Sequence, residues 1–185
     1  MRYGNESENL ARRQYLQDSQ KIMPGYNVVT TGLWVSAEHP ELACSPDELV
    51  LNPNLKDHEL QHNGLLEIKC PKLLEDIDVH DFLCKLSKKQ LSNFCLAKTD
   101  GQIYLKKEHP YFYQIQMQLA CTGLKWCDFV LWSSKSYFVE RVLFDSKFWM
   151  EIKTKLLRFH HNELCPEIFE MKTPRYLSHI IFDNS

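Results

Sequence analysis

The stretch from Gly64 to Lys72, GLLEIKCPK, constrains this chain more than any other. Leu65, Leu66 and Ile68 give it the apolar run of an interior strand, bounded by Gly64 on one side and Cys70-Pro71 on the other. Residues two apart in a strand share a face, so Glu67 and Lys69 project together while Ile68 turns into packing. Such a pair on a solvated face is a surface ion pair contributing at most ~1 kcal/mol. The apolar flanks argue against a solvated face, and a functional reading then needs a second carboxylate.

Asp47, in ACSPDELV, supplies it twenty residues ahead of Glu67, a separation that fits neighbouring strands joined by a loop. Alone, Ser45-Pro46-Asp47 reads as a turn or bulge. Together with Glu67 it offers two carboxylates, the oxygen ligands that a hard divalent cation such as Mg²⁺ takes. The Lys69 ammonium beside them can orient or help deprotonate an attacking water. That set suits in-line hydrolysis of a phosphodiester.

The surrounding pattern predicts a mixed α/β sheet flanked by helices. A helix is expected over residues 5–20, with Leu10, Tyr15 and Leu16 on its apolar side, ended by Pro24-Gly25. Residues 26–36 and 42–52 read as strands, the second interrupted at Ser45-Pro46, and 52–63 as a connecting loop. One or two helices are expected over 71–90. Thr99-Asp100-Gly101 reads as a tight hairpin turn. Pro110 opens a helix that Gly123 closes. Two strands follow. A helix over 147–162, capped by Asp145 or Ser146, then buries Phe148, Trp149, Ile152, Leu156 and Phe159.

A length of 185 residues allows one domain with a real core, and the formal charge of −2 gives no global attraction to nucleic acid or membrane. No apolar run approaches the ~20 residues of a membrane span. The first residues lack the apolar stretch of a secretory signal. Seven cysteines without a CxxC pair read as mostly buried free thiols of a reducing compartment. Zinc-ligand spacing is absent, and adjacent His160 and His161 are expected to point their rings in different directions.

The SPD and GLLEIKCP stretches resemble the PD-(D/E)xK nuclease signature, and within it the branch of phage lambda-type exonucleases and YqaJ-type viral recombinases. YGNESENLAR resembles that family's first core helix. YFYQIQMQLACTG resembles its Tyr-x-x-Gln-x-Gln helix, and WCDFVLW, a strand and FDSKFW match its sheet edge and last helix. The likeness runs in order from Gly4 to about Leu157. It implies a restriction-endonuclease-like core, a nuclease domain over 1–165 and a tail over 166–185.

By the same resemblance Asp47 and Glu67 are principal ligands of Mg²⁺ or Mn²⁺, the carbonyl of Ile68 adds a ligand, and Glu8 serves a second metal. Lys69 acts on the attacking water, and Gln114 positions water or phosphate. Read without the family, Glu8 is as readily an ordinary first-turn acid facing the helix dipole as a site residue. Gln114 and Gln118 then form a solvated helix face that Gln116 does not share. The family usually has glycine after SPD. Glu48 stands there instead and would cost about 1 kcal/mol if a positive φ were required. The N-terminal segment that binds a 5′-phosphate in phage enzymes, and their ring assembly, are not carried over.

The implied activity is a metal-dependent exonuclease on linear duplex DNA, in recombination or end processing, that leaves 5′-phosphates. An annealing protein is a partner by family analogy. Lys85, Lys88, Lys89, Lys98, Lys106 and Lys107, with Tyr104 and Tyr111, offer local charge and rings for DNA, and Ser45 a phosphate contact. A solvated charged connection is the alternative reading of those lysines. The rival functions are an inactive DNA-binding module on the same fold and a site-specific endonuclease. The compartment implied is intracellular, the nucleus in a eukaryote and otherwise the cytoplasm.

Overall fold

The structure is a computed structural model that describes residues 2–51 and 63–171. The loop expected over 52–63, Asn63 apart, and most of the tail after Pro166 lie outside those residues. Two compact units are present, Met1–Phe144 and Asp145–Ser185.

The first unit opens with helix α1 (Arg2–Ile22). Ser7, Ala11 and Tyr15, four residues apart, form its buried stripe, whereas Leu10 is exposed and Leu16 only partly covered. The apolar side is therefore rotated from the expected one: the small Ala11 lets the helix approach the sheet and Tyr15 reaches across it. The segment expected as one strand over 26–36 breaks into β1 (Asn27–Thr30) and β2 (Trp34–Val35). The interruption at Ser45-Pro46 separates β3 (Ala43–Cys44) from β4 (Glu48–Leu51). Strand β5 (Gly64–Lys69) carries the Glu67 and Lys69 pair.

After a short 3₁₀ turn come α2 (Val79–Lys85) and α3 (Lys88–Asn93), the latter closed at its start by a Ser87–Gln90 capping box. Strands β6 (Leu96–Thr99) and β7 (Gln102–Leu105) form the expected hairpin. Asp100 and Gly101 have φ of 51° and 82°, the pair of positive angles a two-residue turn requires. Helix α4 (Pro110–Thr122) ends at Gly123, whose φ of 72° makes the left-handed cap. Strands β8 (Trp126–Trp132) and β9 (Tyr137–Leu143) complete the main sheet.

That sheet runs β1-β4-β5-β8-β9, with β5 and β8 parallel and the other pairs antiparallel. The parallel pair needs a long crossover, which contains α4. Leu66, Ile68, Val50, Val130 and Trp132 face Ala11 and Tyr15 in one core. By alternation Leu65 and Glu67, paired with Cys127 and Phe129, belong to the opposite face. Asp128 is buried on the α1 side, where Tyr15 Oη donates to it at 2.7 Å and Arg141 grips it through Nε and Nη2 at 2.8 and 2.9 Å. The Arg141 guanidinium lies 3.7 Å from the centre of the Trp126 ring.

The second unit holds α5 (Ser146–Phe159), a π-turn over His160–Leu164 and α6 (Cys165–Glu170). Asp145 caps α5 as expected, by accepting the Phe148 N–H. Only Ile152 of the expected stripe is fully buried, and Phe159 is 43% exposed. The two histidine rings do not diverge: their centres are 5.1 Å apart, edge to face at 85°. The cysteines also correct the sequence reading. All seven are free, but only Cys95 and Cys127 are buried, and Cys84 is exposed. Among the described residues no helix is long and apolar enough to cross a membrane.

Candidate active site

The β4–β5 pairing stops at Glu48↔Leu66, so beyond it the edge of β5 has no strand beside it. Asp47 fills that place: its Oδ2 accepts the Ile68 N–H at 2.8 Å. The N–H and C=O of one strand residue point to the same edge, so the Ile68 carbonyl turns to the same gap. A cavity of about 350 Å³ opens there, lined by Glu8, Arg12, Asp47, Glu48 and Ile68 among others. Helix α1 contributes Glu8 and Arg12, one turn apart on its face.

Glu67 lies on the α4 side, 1% exposed. Its Oε1 accepts from Lys69 Nζ and, at 2.7 Å, from Gln114 Nε2. Its Oε2 accepts from Gln118 Nε2 at 2.7 Å. Lys69 in turn sits 5.1 Å from the centre of the Tyr111 ring, which packs on Phe129.

Burial pushes the Glu67 carboxyl up, Asp47 adds to this, and Lys69 opposes it. Glu8 is raised by the same causes in the same order. Asp47 and Lys69 are thus the charges that both other acids sense. For Lys69, burial pulls the ammonium down, but Glu67 and Asp47 outweigh it and leave it above its ordinary value. The cation therefore keeps its proton at neutral pH. Among the described residues, the three acids or thiols and imidazoles whose ligand atoms close within 4.8 Å are His160, His161 and Cys165, not the carboxylates. Asp47 links Glu8 and Glu67 rather than fusing them into one knot.

Glu48 does not adopt a positive φ, so the cost attached to a residue in the glycine position does not arise. It starts β4 in extended backbone, and its Oε1 lies 3.3 Å from Arg12 Nε. Its Oε2 is buried without a hydrogen-bond partner, and burial raises its pKa against the pull of Arg12. Sequence reasoning missed both this pair and the Gln118 contact. The i, i+4 spacing of Gln114 and Gln118 is the available signal, and the glutamine face proves buried at Gln118, which is 2% exposed.

The residues expected to meet DNA are mixed. Ser45, Lys85, Lys89, Lys98 and Lys107 are exposed. Lys106 donates to the carbonyls of Leu91 and Ser92, which ties the hairpin to α3. Tyr104 bonds Thr99, and Tyr111 lies against Lys69. The Lys88 side chain lies outside the described ones.

A mixed sheet with acids at the end of a broken strand pair, flanked by helices on both faces, is a restriction-endonuclease-like fold. The chain belongs to the YqaJ-like viral recombinase domain family, whose model matches residues 1–125. A solved alkaline exonuclease from Laribacter hongkongensis, LHK-Exo, is similar at 27% identity and a TM-score of 0.62, covering 96% of this chain and 75% of its own. LHK-Exo solved in complex with dAMP gives 29% identity, the same TM-score of 0.62 and the same coverage. No curated protein sequence matches the chain.

Proposed function

We propose that this chain is a DNA exonuclease of recombination that hydrolyses the phosphodiester bonds of linear duplex DNA with a divalent metal ion, Mg²⁺ or Mn²⁺. The observation that carries the reading is the strand-end junction, where Asp47 bonds the Ile68 N–H inside a cavity that Glu8 and Ile68 also line. The neighbouring exonuclease solved with dAMP supports a deoxynucleotide substrate.

The donor set fits such an ion. It is all oxygen: Asp47, Glu67, the carbonyl of Ile68, and Glu8 for a second ion. The partnerless Glu48 Oε2 beside them is an unsatisfied hard acceptor at the same cavity. A bound divalent ion supplies charge stabilisation for the phosphoryl oxygens and eases deprotonation of the attacking water. The chain's own residues do the rest. Gln114 and Gln118 fix the Glu67 carboxylate, and Lys69, protonated and anchored on that carboxylate, offers its remaining donors to water or phosphate. Arg12 brings a cation to the cavity wall. Exposed Lys85, Lys89 and Lys107 would meet the DNA backbone and make binding salt-dependent. An annealing protein is the partner that fits this work, in the nucleus or the cytoplasm.

Digestion of end-labelled linear duplex, with and without a 5′-phosphate, across Mg²⁺ and Mn²⁺ tests the reading. Metal-dependent release of mononucleotides from ends is expected, lost in Glu67→Ala. Binding without cleavage would leave an inactive module, and rapid cutting of closed circles an endonuclease.

A further inference from the structure

We infer that His160, His161 and Cys165 form a second metal site, for a zinc-class transition-metal ion, at the π-turn between α5 and α6. The site lies wholly within the Asp145–Ser185 unit and is independent of the nuclease reading.

The backbone creates the cluster. In an ordinary α-helix, at 3.6 residues per turn, residues five apart stand about 140° apart around the axis. Here the Cys165 N–H bonds the His160 carbonyl, the i→i+5 link of a π-turn. The wider turn swings Cys165 back between the two histidines. The ligand atoms of all three side chains then fall within 4.8 Å of one another. Such turns are rare and concentrate at functional sites; here Pro166, in the first turn of α6, has no N–H to give the Asn162 carbonyl and so favours the widened turn.

The spacing suits the ion. Cys165 Sγ is 3.6 Å from Nδ1 and from Nε2 of His160. With Zn–S near 2.3 Å and Zn–N near 2.05 Å, the edge of a tetrahedron joining sulfur to nitrogen is about 3.6 Å. The sulfur is equidistant from both ring nitrogens, so a turn of the imidazole about its soft χ2 aims one of them at the ion. Two imidazoles and a thiolate are borderline-to-soft donors that select zinc over magnesium. His160 and Cys165 are half-buried and His161 is exposed, which leaves the fourth position to water. Binding converts the Cys165 thiol to thiolate and releases one proton.

The test uses the full chain, stripped with chelator and held in excess Mg²⁺ so that the carboxylate site does not compete. Zn²⁺ titration is expected to show one tight equivalent per chain, with proton release, weakened at least tenfold in Cys165→Ser and in His160→Gln. Co²⁺ as a probe should give a thiolate-to-metal charge-transfer band in the wild type and none in Cys165→Ser. That band needs only the folded wild-type protein, so an unstable variant does not blunt the test. Wild-type protein that binds Co²⁺ without a thiolate band, or takes up no more Zn²⁺ than Cys165→Ser, overturns the proposal. Failure of DNA cleavage would leave it untouched.

Discussion

Gln118 Nε2 donates to Glu67 Oε2 at 2.7 Å, across fifty-one residues of chain. With Lys69 and Gln114 on the other oxygen, three donors hold a carboxylate whose pKa burial raises. Gln118 is therefore a positioning residue for Glu67.

Replacing Gln118 by Leu keeps the volume but removes the donor. One oxygen of a buried carboxylate then loses its partner, which costs about 1–3 kcal/mol of stability. Cleavage is expected to fall about tenfold or more in kcat at unchanged KM for DNA, because the side chain holds Glu67 and not the substrate. Gln118→Glu should be worse than Leu, since it sets a second acid against Glu67. Single-turnover digestion with thermal melts checks both, and a Gln118→Leu protein with the wild-type rate would remove the positioning role.

The strands around the site were legible because their signals are local: alternation in GLLEIKC, the Asp100-Gly101 turn, and Pro110 with Gly123 at the ends of α4. The family and the restriction-endonuclease-like fold followed from motifs in register. What escaped depends on long-range packing. Nothing local marks Asp128 as the buried anchor of Tyr15 and Arg141, since its partners lie 113 and 13 residues away. The orientation of α1 escaped because Ala11 is a weak hydrophobic signal while exposed Leu10 is a strong one. The π-turn escaped because its one mark, Pro166 with no N–H for the Asn162 carbonyl, reads from sequence as the end of a helix rather than as a widened turn within one.

On the proposed reading Asp47 has two separable roles, holding metal and accepting the Ile68 N–H, and isosteric substitution divides them. An asparagine amide oxygen in its place can still accept the Ile68 N–H, so Asp47→Asn is expected to melt within a few degrees of wild type yet cleave DNA at least a hundredfold more slowly. Asp47→Ala loses both roles and leaves the strand-end N–H without its acceptor, a further cost of about 1–2 kcal/mol. Calorimetry alongside end-labelled digestion separates the cases. Equal melting of the two variants would show that the bond to Ile68 contributes nothing to the fold.

Glu140 on β9 accepts the Leu105 N–H, joining the main sheet to the β6–β7 hairpin. Burial raises its carboxyl pKa, and the bond from Leu105 only partly opposes this. The raised value means that the protonated acid is preferred in the fold, so its contribution is present below the ordinary carboxylate pKa of about 4.3 and is lost as pH rises through the folded one. Glu140→Gln keeps an acceptor for Leu105 and removes the charge. Its melting temperature should exceed wild type by about 1–2 °C at pH 7, and the gain should vanish below about pH 4. A gain that is the same at both pH values would show that charge burial is not its source.

Gly64 faces a constraint of space rather than of backbone angle. A Cβ built there would stand 2.3 Å from the Trp126 ring, which itself carries Arg141 on its face. The ring cannot retreat without disturbing that stack. Gly64→Ala is therefore expected to destabilise the protein by about 1–3 kcal/mol, the usual range for overpacking. Because β5 carries Glu67 and Lys69 a few residues on, the same strain should lower cleavage more than it lowers DNA binding. Pairing Gly64→Ala with Trp126→Leu opens the space, and a double-mutant cycle in chemical denaturation should return a favourable coupling of about 1 kcal/mol or more. Strict additivity of the two losses would show that the indole is not what keeps position 64 bare.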